Sequence, residues 1–238
     1  MKTLLLLLAA AGAVAQTRLA PPLPRYEVHR APSAIAIDGK LDEPAWAAAG
    51  TIELNFPWES GSGPKQKTVV RLLWDDTYLY AAYECEDSDI TATRTSHDDP
   101  VDQDDSVLLL INPRPAQTHG YIGLEMNVRA VLHDYLSANG EYFFKQFDMQ
   151  GVRLATNIDG TLNQSGDKDR GWTLEVAIPW NNFDDLNRQH AVGTTWAANF
   201  GRWDGSGAAR TFSIWSDSLL PAPNPRVPAR FGQLVFVK

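Results

Sequence analysis

Short stretches of alternating apolar and polar residues, separated by turn residues, run through most of this 238-residue chain. In residues 68–74 the alternation places Val70, Leu72 and Trp74 on one face of a strand. The acidic pair at 75–76 then supplies a turn, which predicts a β-hairpin. The other strands predicted in this way are Tyr78–Glu86, Ser106–Ile111, Tyr121–Val128, Val131–Tyr135, Gly151–Thr156, Trp172–Ile178, Trp196–Arg202, Phe212–Trp215 and Gln233–Val237.

Helical patterns are few. Short helical turns are expected only at Pro44–Ala49 and around Asn181–Leu186, where Pro179 ends the preceding strand. Many short strands with few helices indicate an all-β sandwich or barrel. Four prolines between residues 16 and 32 predict a stiff lead, with an edge strand at Tyr26–Val28.

The first fifteen residues have the pattern of a secretory signal peptide. Lys2 precedes an apolar core, and the small residues Ala13 and Ala15 form the small-x-small pattern that precedes a cleavage site. We therefore expect a signal peptide at 1–15, a proline-rich lead at 16–32 and one sandwich domain at 33–238. The location expected is secreted, either periplasmic or extracellular, with no membrane span, because no later apolar run is long enough.

The composition of the chain narrows the range of functions that it can have. A formal net charge of −8 disfavours nucleic acid as a partner, because binding to phosphates needs clustered Lys and Arg. Cys85 is the single cysteine, so an internal disulfide is excluded and a buried strand position is expected. Neither a nucleophile elbow nor a phosphate-binding loop nor a metal-binding His pair occurs in the sequence, so catalysis is not expected.

The segment Ile37–Trp46 is the most informative local motif. Asp38-Gly39 is a turn pair that tolerates left-handed backbone angles, and Trp46 is large enough to plug one end of a sandwich. Seven further sequence elements follow this motif in order along the chain: Leu73–Tyr80, Asp87–Ile90, Gln103–Val107, Met126-Asn127, Gly171–Trp180, Trp196–Arg202 and Arg230–Phe236.

Taken together, these elements resemble carbohydrate-binding module family 9 and the wider group of DOMON-like sandwiches. The resemblance implies an immunoglobulin-like or jelly-roll-like two-sheet β-sandwich. It also implies a non-catalytic module that binds a polysaccharide or oligosaccharide, as a glycan or a glycan end. Such modules often accompany a plant-polysaccharide hydrolase, so the resemblance implies a separate glycoside hydrolase as a partner here.

In that family a sugar is typically clamped between two tryptophans. The resemblance assigns Trp215 to the later position, whereas Asp102 stands at the earlier one. Leu108 stands where a glutamate commonly follows the Asp-Asp-Ser-Val run. Arg129 remains a candidate polar contact.

A flat aromatic ring and bidentate polar groups are what a protein needs to hold a sugar. We expect stacking on Trp215, opposed by Trp58 or Trp203, whose loop-like surroundings favour exposure. The hydroxyl contacts expected are Arg129, Asn127, Asp105 and Arg202. The remaining tryptophans fit strand or plug positions in the core, namely Trp46, Trp74, Trp172, Trp180 and Trp196.

An acidic stretch lies between Glu86 and Asp105. Oxygen-rich loops of this kind suit calcium, and the ligands expected are Asp87, Asp89 and Asp104, with a structural role. The alternative is a solvated acidic loop that limits aggregation at a sheet edge.

Two other functions stay open at this point. Related DOMON-like sandwiches hold haem b for electron transfer, and Met126 with His133 is the one suggestive axial pair, against plain core packing of Met126. The chain could instead be a surface protein-interaction module that has lost sugar binding.

Overall fold

A computed structural model describes residues 20–59, 61–183 and 192–238. Within these ranges the chain is almost entirely β-structure, with short 3-10 turns between strands. The strands are β1 Arg25–Arg30, β2 Ile52–Glu53, β3 Thr68–Trp74, β4 Tyr78–Glu86, β5 Ser106–Asn112, β6 Tyr121–Asn127, β7 Leu132–Ala138, β8 Tyr142–Phe144, β9 Arg153–Asp159, β10 Gly171–Pro179, β11 Thr195–Asp204, β12 Thr211–Ile214 and β13 Gly232–Phe236.

The strands form two sheets that share β1. One sheet runs β8-β7-β6-β5-β11-β13-β1, with β12 paired to β11, and the other runs β1-β3-β4-β10-β9, with β2 paired to β3. Residues 25–28 of β1 pair with β13, and residues 29–30 pair with β3. The predicted two-sheet sandwich is therefore confirmed, but β1 is an interior strand and not the expected edge.

The main core lies between the two sheets, because alternate residues of each strand point inward. On β5 the inward residues are Val107, Leu109 and Ile111, each at most 1% exposed. The five tryptophans predicted to be buried are confirmed as buried, and Cys85 is a buried free thiol within β4. A second apolar cluster covers the outer face of the first sheet, around Leu108 and Leu110.

The predicted hairpin of β3 and β4 is confirmed in register from Thr68↔Cys85 to Trp74↔Leu79. Asp75 closes its turn by accepting hydrogen bonds from the backbone N–H groups of Thr77 and Tyr78, at 2.7 and 2.8 Å. Two short strands were not predicted from the sequence, β2 and β8. Both are too short for an alternation to be recognised.

Of the two helical turns predicted, the first is a 3-10 helix at Pro44–Ala48 and the second begins as a 3-10 helix at Trp180–Phe183. The rest of the second turn and the predicted signal peptide lie outside the described residues. In the described part of the chain, no helix is long and apolar enough to cross a membrane.

Glu175 on β10 holds the Ile37–Trp46 motif against the second sheet. Its Oε2 accepts hydrogen bonds from the backbone N–H groups of Gly39 at 2.9 Å and Asp38 at 3.2 Å, and its Oε1 accepts one from Trp46 Nε1 at 3.0 Å. Gly39 has φ of +85°, and a Cβ there would lie 2.4 Å from the backbone carbon of Thr156. The motif therefore needs glycine for both conformation and space.

Candidate functional site

The outer face of the first sheet carries a row of cross-strand neighbours. Leu108 on β5 pairs with Glu125 on β6, and Glu125 pairs with His133 on β7. Because directly opposed residues of an antiparallel pair point to the same face, the three side chains are neighbours on that face. A carboxylate thus lies on the strand beside Leu108, where the family resemblance had placed a glutamate on β5.

Glu125 is part of a hydrogen-bonded group with Tyr135 and Arg226. Its Oε1 accepts a hydrogen bond from the Tyr135 hydroxyl at 3.0 Å and one from Arg226 Nη2 at 2.6 Å. Arg226 Nε also donates to the Tyr135 oxygen at 3.2 Å. The three side chains therefore fix one another's position, although they come from β6, β7 and the segment before β13.

Glycine at position 123 gives the Tyr135 ring its place on the sheet. A Cβ on Gly123 would lie 2.3 Å from the Tyr135 ring, which therefore rests directly on the backbone of β6. Any larger residue at 123 would push the ring, and with it the hydroxyl that binds Glu125, out of position. The glycine thus belongs to the construction of the site.

One aromatic side chain of β8, Phe143, continues this surface. Phe143 packs edge-on against Tyr135, with ring centroids 5.4 Å apart, and Arg226 lies 5.6 Å from the centre of the Phe143 ring. Phe143 is 39% exposed, and its neighbours Tyr142 and Phe144 are 66% and 56% exposed. Because successive residues of a strand point to opposite faces, Phe143 lies on the outer face with Tyr135, whereas Tyr142 and Phe144 point to the other face.

These groups line an open pocket of about 410 Å³. Pockets of about 300–1,000 Å³ are typical of small-molecule sites. The pocket combines aromatic walls with both signs of charge, and its lining residues are Asp98, Pro100, Asp102, Glu125, His133, Tyr135, Phe143, Lys145 and Arg226.

Burial and charge set the protonation of two of these residues. Burial raises the pKa of Tyr135 well above its usual value, and the nearby Glu125 charge acts in the same direction. Burial lowers the pKa of Arg226, but the contacts with Tyr135 and Glu125 outweigh this and raise the pKa overall. Tyr135 is therefore a neutral hydrogen-bond donor at physiological pH, and Arg226 is a fixed cation.

Two other cavities lack this combination. A cavity of about 340 Å³ over the outer face of the second sheet has Trp172 as its aromatic residue, which is 2% exposed. A wider one of about 620 Å³ is lined by Trp58, Leu219 and Leu220. Neither pairs an exposed ring with a fixed charged group among its described lining residues.

The tryptophans expected at the binding surface lie elsewhere. Trp58 was expected to be exposed, but this is wrong: it is 7% exposed, and its Nε1 donates to the Leu220 carbonyl at 2.8 Å. The Trp215 ring packs 5.3 Å from the Phe200 ring and so closely over Gly232 that a Cβ there would lie 2.5 Å from it. Trp215 therefore contacts the inner core, on the side of the sheet away from the pocket.

Trp203 does lie on the outer face. It is opposite Ser106 in the register of β5 and β11, and Ser106 shares its face of β5 with Leu108. Its ring is 4.2 Å from that of Phe212 and lies 4.1 Å from the Arg210 guanidinium carbon. Trp203 is thus half-buried between two neighbours. Burial lowers the pKa of Arg210, whereas the charge of Asp102 opposes this shift.

Three of the polar residues expected to contact sugar are buried and bonded within the protein. Asn127 is 0% exposed and closes the turn after β6, where its Oδ1 accepts from the N–H groups of Arg129 and Val131 at 3.0 Å each. Asp105 is also 0% exposed and accepts from the N–H groups of Thr91 and Gly205 at 2.6 Å each. These two side chains organise loops, contrary to the expected surface role.

Arg202 is 1% exposed, also contrary to expectation, and lies on the inner side of β11. It donates to Asp87 Oδ2 at 2.9 Å and to Asp204 Oδ1 at 2.8 Å. Arg129 is exposed, and its Nε donates to the Ala92 carbonyl at 3.0 Å. It lies near residue 92, outside the lining of the pocket.

The acidic residues proposed as calcium ligands do not converge as expected. Asp104 uses both oxygens within the protein, accepting from the N–H groups of Thr93 and Arg94 at 2.9 Å each, and Asp89 is exposed. Asp87 instead lies with Asp105 and Asp204, with one oxygen of each within 4.8 Å of the others. The Arg202 guanidinium, which binds two of these three carboxylates, provides the positive charge there, so this group does not fit the calcium site that was expected.

Burial raises the pKa of Asp105 to about 7, and the charges of Asp87 and Asp204 act in the same direction. Because one cation faces three carboxylates, a proton on Asp105 reduces the excess negative charge.

Met126 and His133 do not form an axial pair for haem. Met126 is 0% exposed in the inner core and pairs with Leu132, whereas His133 is the next residue along β7. Successive residues of a strand point to opposite faces, so the two side chains lie on opposite sides of the sheet.

Sequence reasoning missed Glu125, Tyr135, Phe143 and Arg226. The pairing of Glu125 with Leu108 and His133 could have been found, because short connections join the predicted strands and restrict their register. No pattern in the sequence indicated Arg226, since it lies in an irregular proline-rich segment that is far from Glu125 and Tyr135 in sequence.

Comparisons with known proteins agree with the fold. A solved structure of a protein from Bacteroides uniformis matches with a TM-score of 0.77 and 18% identity, covering 90% of this chain and all of that one. A family 9 carbohydrate-binding module of Caldicellulosiruptor kristjanssonii in complex with cellotriose matches with a TM-score of 0.60 and 18% identity, covering 90% and 93%.

The curated relatives are much longer than this chain. It is 28% identical over 151 residues to exoglucanase XynX of Acetivibrio thermocellus, which covers 63% of this chain and 12% of the relative. It is 27% identical over 205 residues to endo-1,4-beta-xylanase C of Paenibacillus barcinonensis, covering 85% and 16%. Residues 37–238 match the sequence model described as "Carbohydrate family 9 binding domain-like", and the chain therefore belongs to that family.

Proposed function

We propose that the chain binds a saccharide, as a glycan or a glycan end, in the outer-face pocket of β6–β8. One observation carries this proposal: an exposed aromatic ring, Phe143, lies beside a fixed group of hydrogen-bonding side chains, Glu125, Tyr135 and Arg226. A pyranose ring presents a C–H face and a rim of hydroxyls, and it needs both kinds of partner at once.

In the proposed complex the sugar stacks on Phe143, whose ring packs against the buried Tyr135. Arg226 has five N–H donors, of which its contacts with Glu125 and Tyr135 use two among the described residues. Its other donors face the pocket and read neighbouring hydroxyls. Because Arg226 is held in place before binding, little side-chain entropy is lost when the sugar arrives.

The saccharide class that we propose is β-linked glucose oligomers. This choice is supported by family 9 modules of similar fold that were solved in complex with cellotriose and with glucose. The role proposed is non-catalytic, because Glu125 is engaged by Arg226 and Tyr135 and is not a free base. We also propose that the chain works with a glycoside hydrolase, since its relatives include an exoglucanase and xylanases.

We propose in addition that the protein is exported, on the strength of the signal-peptide pattern at residues 1–15. Calcium binding stays a prediction of the sequence, but Asp87, Asp89 and Asp104 do not converge on one site in the structure. The pocket itself needs no metal for the contacts described.

Calorimetric titration with cello-, xylo- and manno-oligosaccharides tests the proposal. Phe143→Ala should weaken binding by about 1–2 kcal/mol, roughly five- to thirty-fold, because it removes the stacking surface. Phe144→Ala is the matched control, since it removes an exposed ring of the same strand that lies outside the pocket lining, and its affinity should stay within about twofold. Heat with none of the sugars, or equal loss in both variants, would overturn the proposed site.

A further inference from the structure

A second group of charged side chains lies beside the pocket, around the ring of His97. The Nε2 atom of His97 lies 3.0 Å from Asp148 Oδ1, 3.6 Å from Asp98 Oδ1 and 3.6 Å from Asp134 Oδ1. One ligand atom of each residue lies within 4.8 Å of all the others. Three separate parts of the chain meet here: the loop before β5, the strand β7 and the segment before β9.

Asp134 gives an independent sign that this group is built for a ligand. Its side chain is 0% exposed, and its Oδ2 accepts a hydrogen bond from the Met149 N–H at 2.6 Å. Its Oδ1 is buried, has no hydrogen-bond partner in the described structure, and lies on the side of His97. A buried carboxylate oxygen without a partner is unfavourable, and a cation at the centre of the group would satisfy it.

The spacing of the four groups suits a small ion. Ligands about 2.1 Å from a tetrahedral ion are separated from each other by about 3.4 Å. The contacts of His97 Nε2 with Asp98 and Asp134 are close to that value, and the contact with Asp148 is slightly shorter. An imidazole nitrogen with carboxylate oxygens suits zinc-like ions, whereas calcium selects oxygen ligands throughout.

We propose that His97, Asp98, Asp134 and Asp148 form a binding site for a divalent transition-metal ion, with zinc as the best match to the donor set. The Met149 N–H fixes the orientation of Asp134 and leaves its second oxygen for the metal. The bound ion joins the loop at residues 97–98 and the segment at 148 to the strand β7.

The site also touches the outer-face pocket, because Asp98 belongs to both. A bound ion fixes that wall of the pocket and raises saccharide affinity. This consequence rests on the proposed function, whereas metal binding itself does not. The metal titration is therefore made without sugar, and the sugar titration is repeated with and without zinc.

The test is calorimetric titration of the untagged, chelator-treated protein with Zn²⁺ and, separately, with Ca²⁺. We expect one Zn²⁺ per chain and Zn²⁺ bound more tightly than Ca²⁺. His97→Ala should weaken Zn²⁺ binding at least roughly tenfold, because it removes a direct ligand, and Asp134→Asn should do the same while retaining an acceptor for the Met149 N–H.

His119→Ala is the matched control, since His119 is exposed and lies outside the group; it should leave Zn²⁺ affinity unchanged. Thermal unfolding of each variant without metal shows that the chain still folds. No Zn²⁺ binding by the unmodified protein, unchanged binding in His97→Ala and Asp134→Asn, or tighter binding of Ca²⁺ than of Zn²⁺ would each overturn the proposal.

Discussion

The Ile37–Trp46 motif and the outer-face pocket are both held by a buried glutamate, but they differ in how the chain builds them. Glu175 joins one local motif to one strand, so two segments of the chain complete the arrangement. Glu125 joins two strands to Arg226, and the pocket also needs β8 and the loop at 98–102. The motif is therefore completed by two segments, whereas the pocket depends on contacts between several segments that are distant in sequence.

The largest effect is expected from Trp46→Ala, which should lower the free energy of unfolding by about 3–5 kcal/mol. Trp46 is 4% exposed and is bonded to Glu175, so its loss leaves both a cavity and an unpaired acceptor. Trp203→Ala, at a half-buried site, should cost about 1–2 kcal/mol. Urea unfolding of both variants measures the difference, and an equal cost would break the contrast between motif and outer face.

Glu175→Gln should destabilise the protein by about 2 kcal/mol at neutral pH. The single side-chain oxygen of a glutamine can accept either from the N–H groups of Gly39 and Asp38 or from Trp46 Nε1. The amide nitrogen then faces the donor that is left and cannot accept from it. Saccharide affinity of the folded variant should not change. A large loss of affinity would show that the two regions are coupled.

The same carboxyl predicts a pH dependence. Burial raises the pKa of Glu175 to about 7, against the opposing hydrogen bonds from Trp46, Gly39 and Asp38. A carboxyl whose pKa is raised by folding contributes stability that is complete below its unfolded pKa and is lost as pH rises through 7. Asp105 acts in the same direction, because its pKa is also raised to about 7.

Between pH 5 and pH 8 the free energy of unfolding should therefore fall by about 2–3 kcal/mol for each of these two groups. In Glu175→Gln the fall should be smaller, because one of the two carboxyls is gone. Urea unfolding across this range measures both slopes. An equal or steeper slope in the variant would contradict the assignment.

The smallest effect predicted is a gain of function. Asp102 lines the pocket where the family resemblance places a second tryptophan. Asp102→Trp should raise saccharide affinity roughly tenfold, about 1.4 kcal/mol, by giving the sugar a second aromatic face. Glu141→Trp adds the same ring to an exposed site outside the pocket and should change nothing. An equal gain in both variants would point to unspecific stacking on aromatic surface.

Much of the sandwich could be predicted from the sequence because its strands and turns are indicated by residues that are close together in the chain. The hairpin of β3 and β4 follows from alternation and from Asp75, and Trp46 follows from the turn before it. β1 was misplaced at an edge because a proline-rich lead carries no signal for its two parallel neighbours.

The binding surface was predicted less well because its residue types are ambiguous in a sequence. Arg202 and Asn127 have side chains suited to sugar contact, yet the fold uses them to neutralise buried carboxylates and to close a turn. Tyr135 reads as an ordinary strand residue, and only Gly123, from the neighbouring strand, makes room for its ring. Such roles depend on contacts between distant segments, which a pattern along the chain does not contain.

The central claim is that saccharide binds at the outer-face pocket and not at the tryptophans that the sequence had suggested. Two-dimensional ¹H–¹⁵N NMR, recorded while cellotriose is added, tests this most directly. The largest shifts are expected in the backbone N–H signals of β6–β8 around Glu125, Tyr135 and Phe143, and in that of Arg226. Shifts centred instead on Trp58 or Trp215, with the pocket signals unmoved, would contradict that claim.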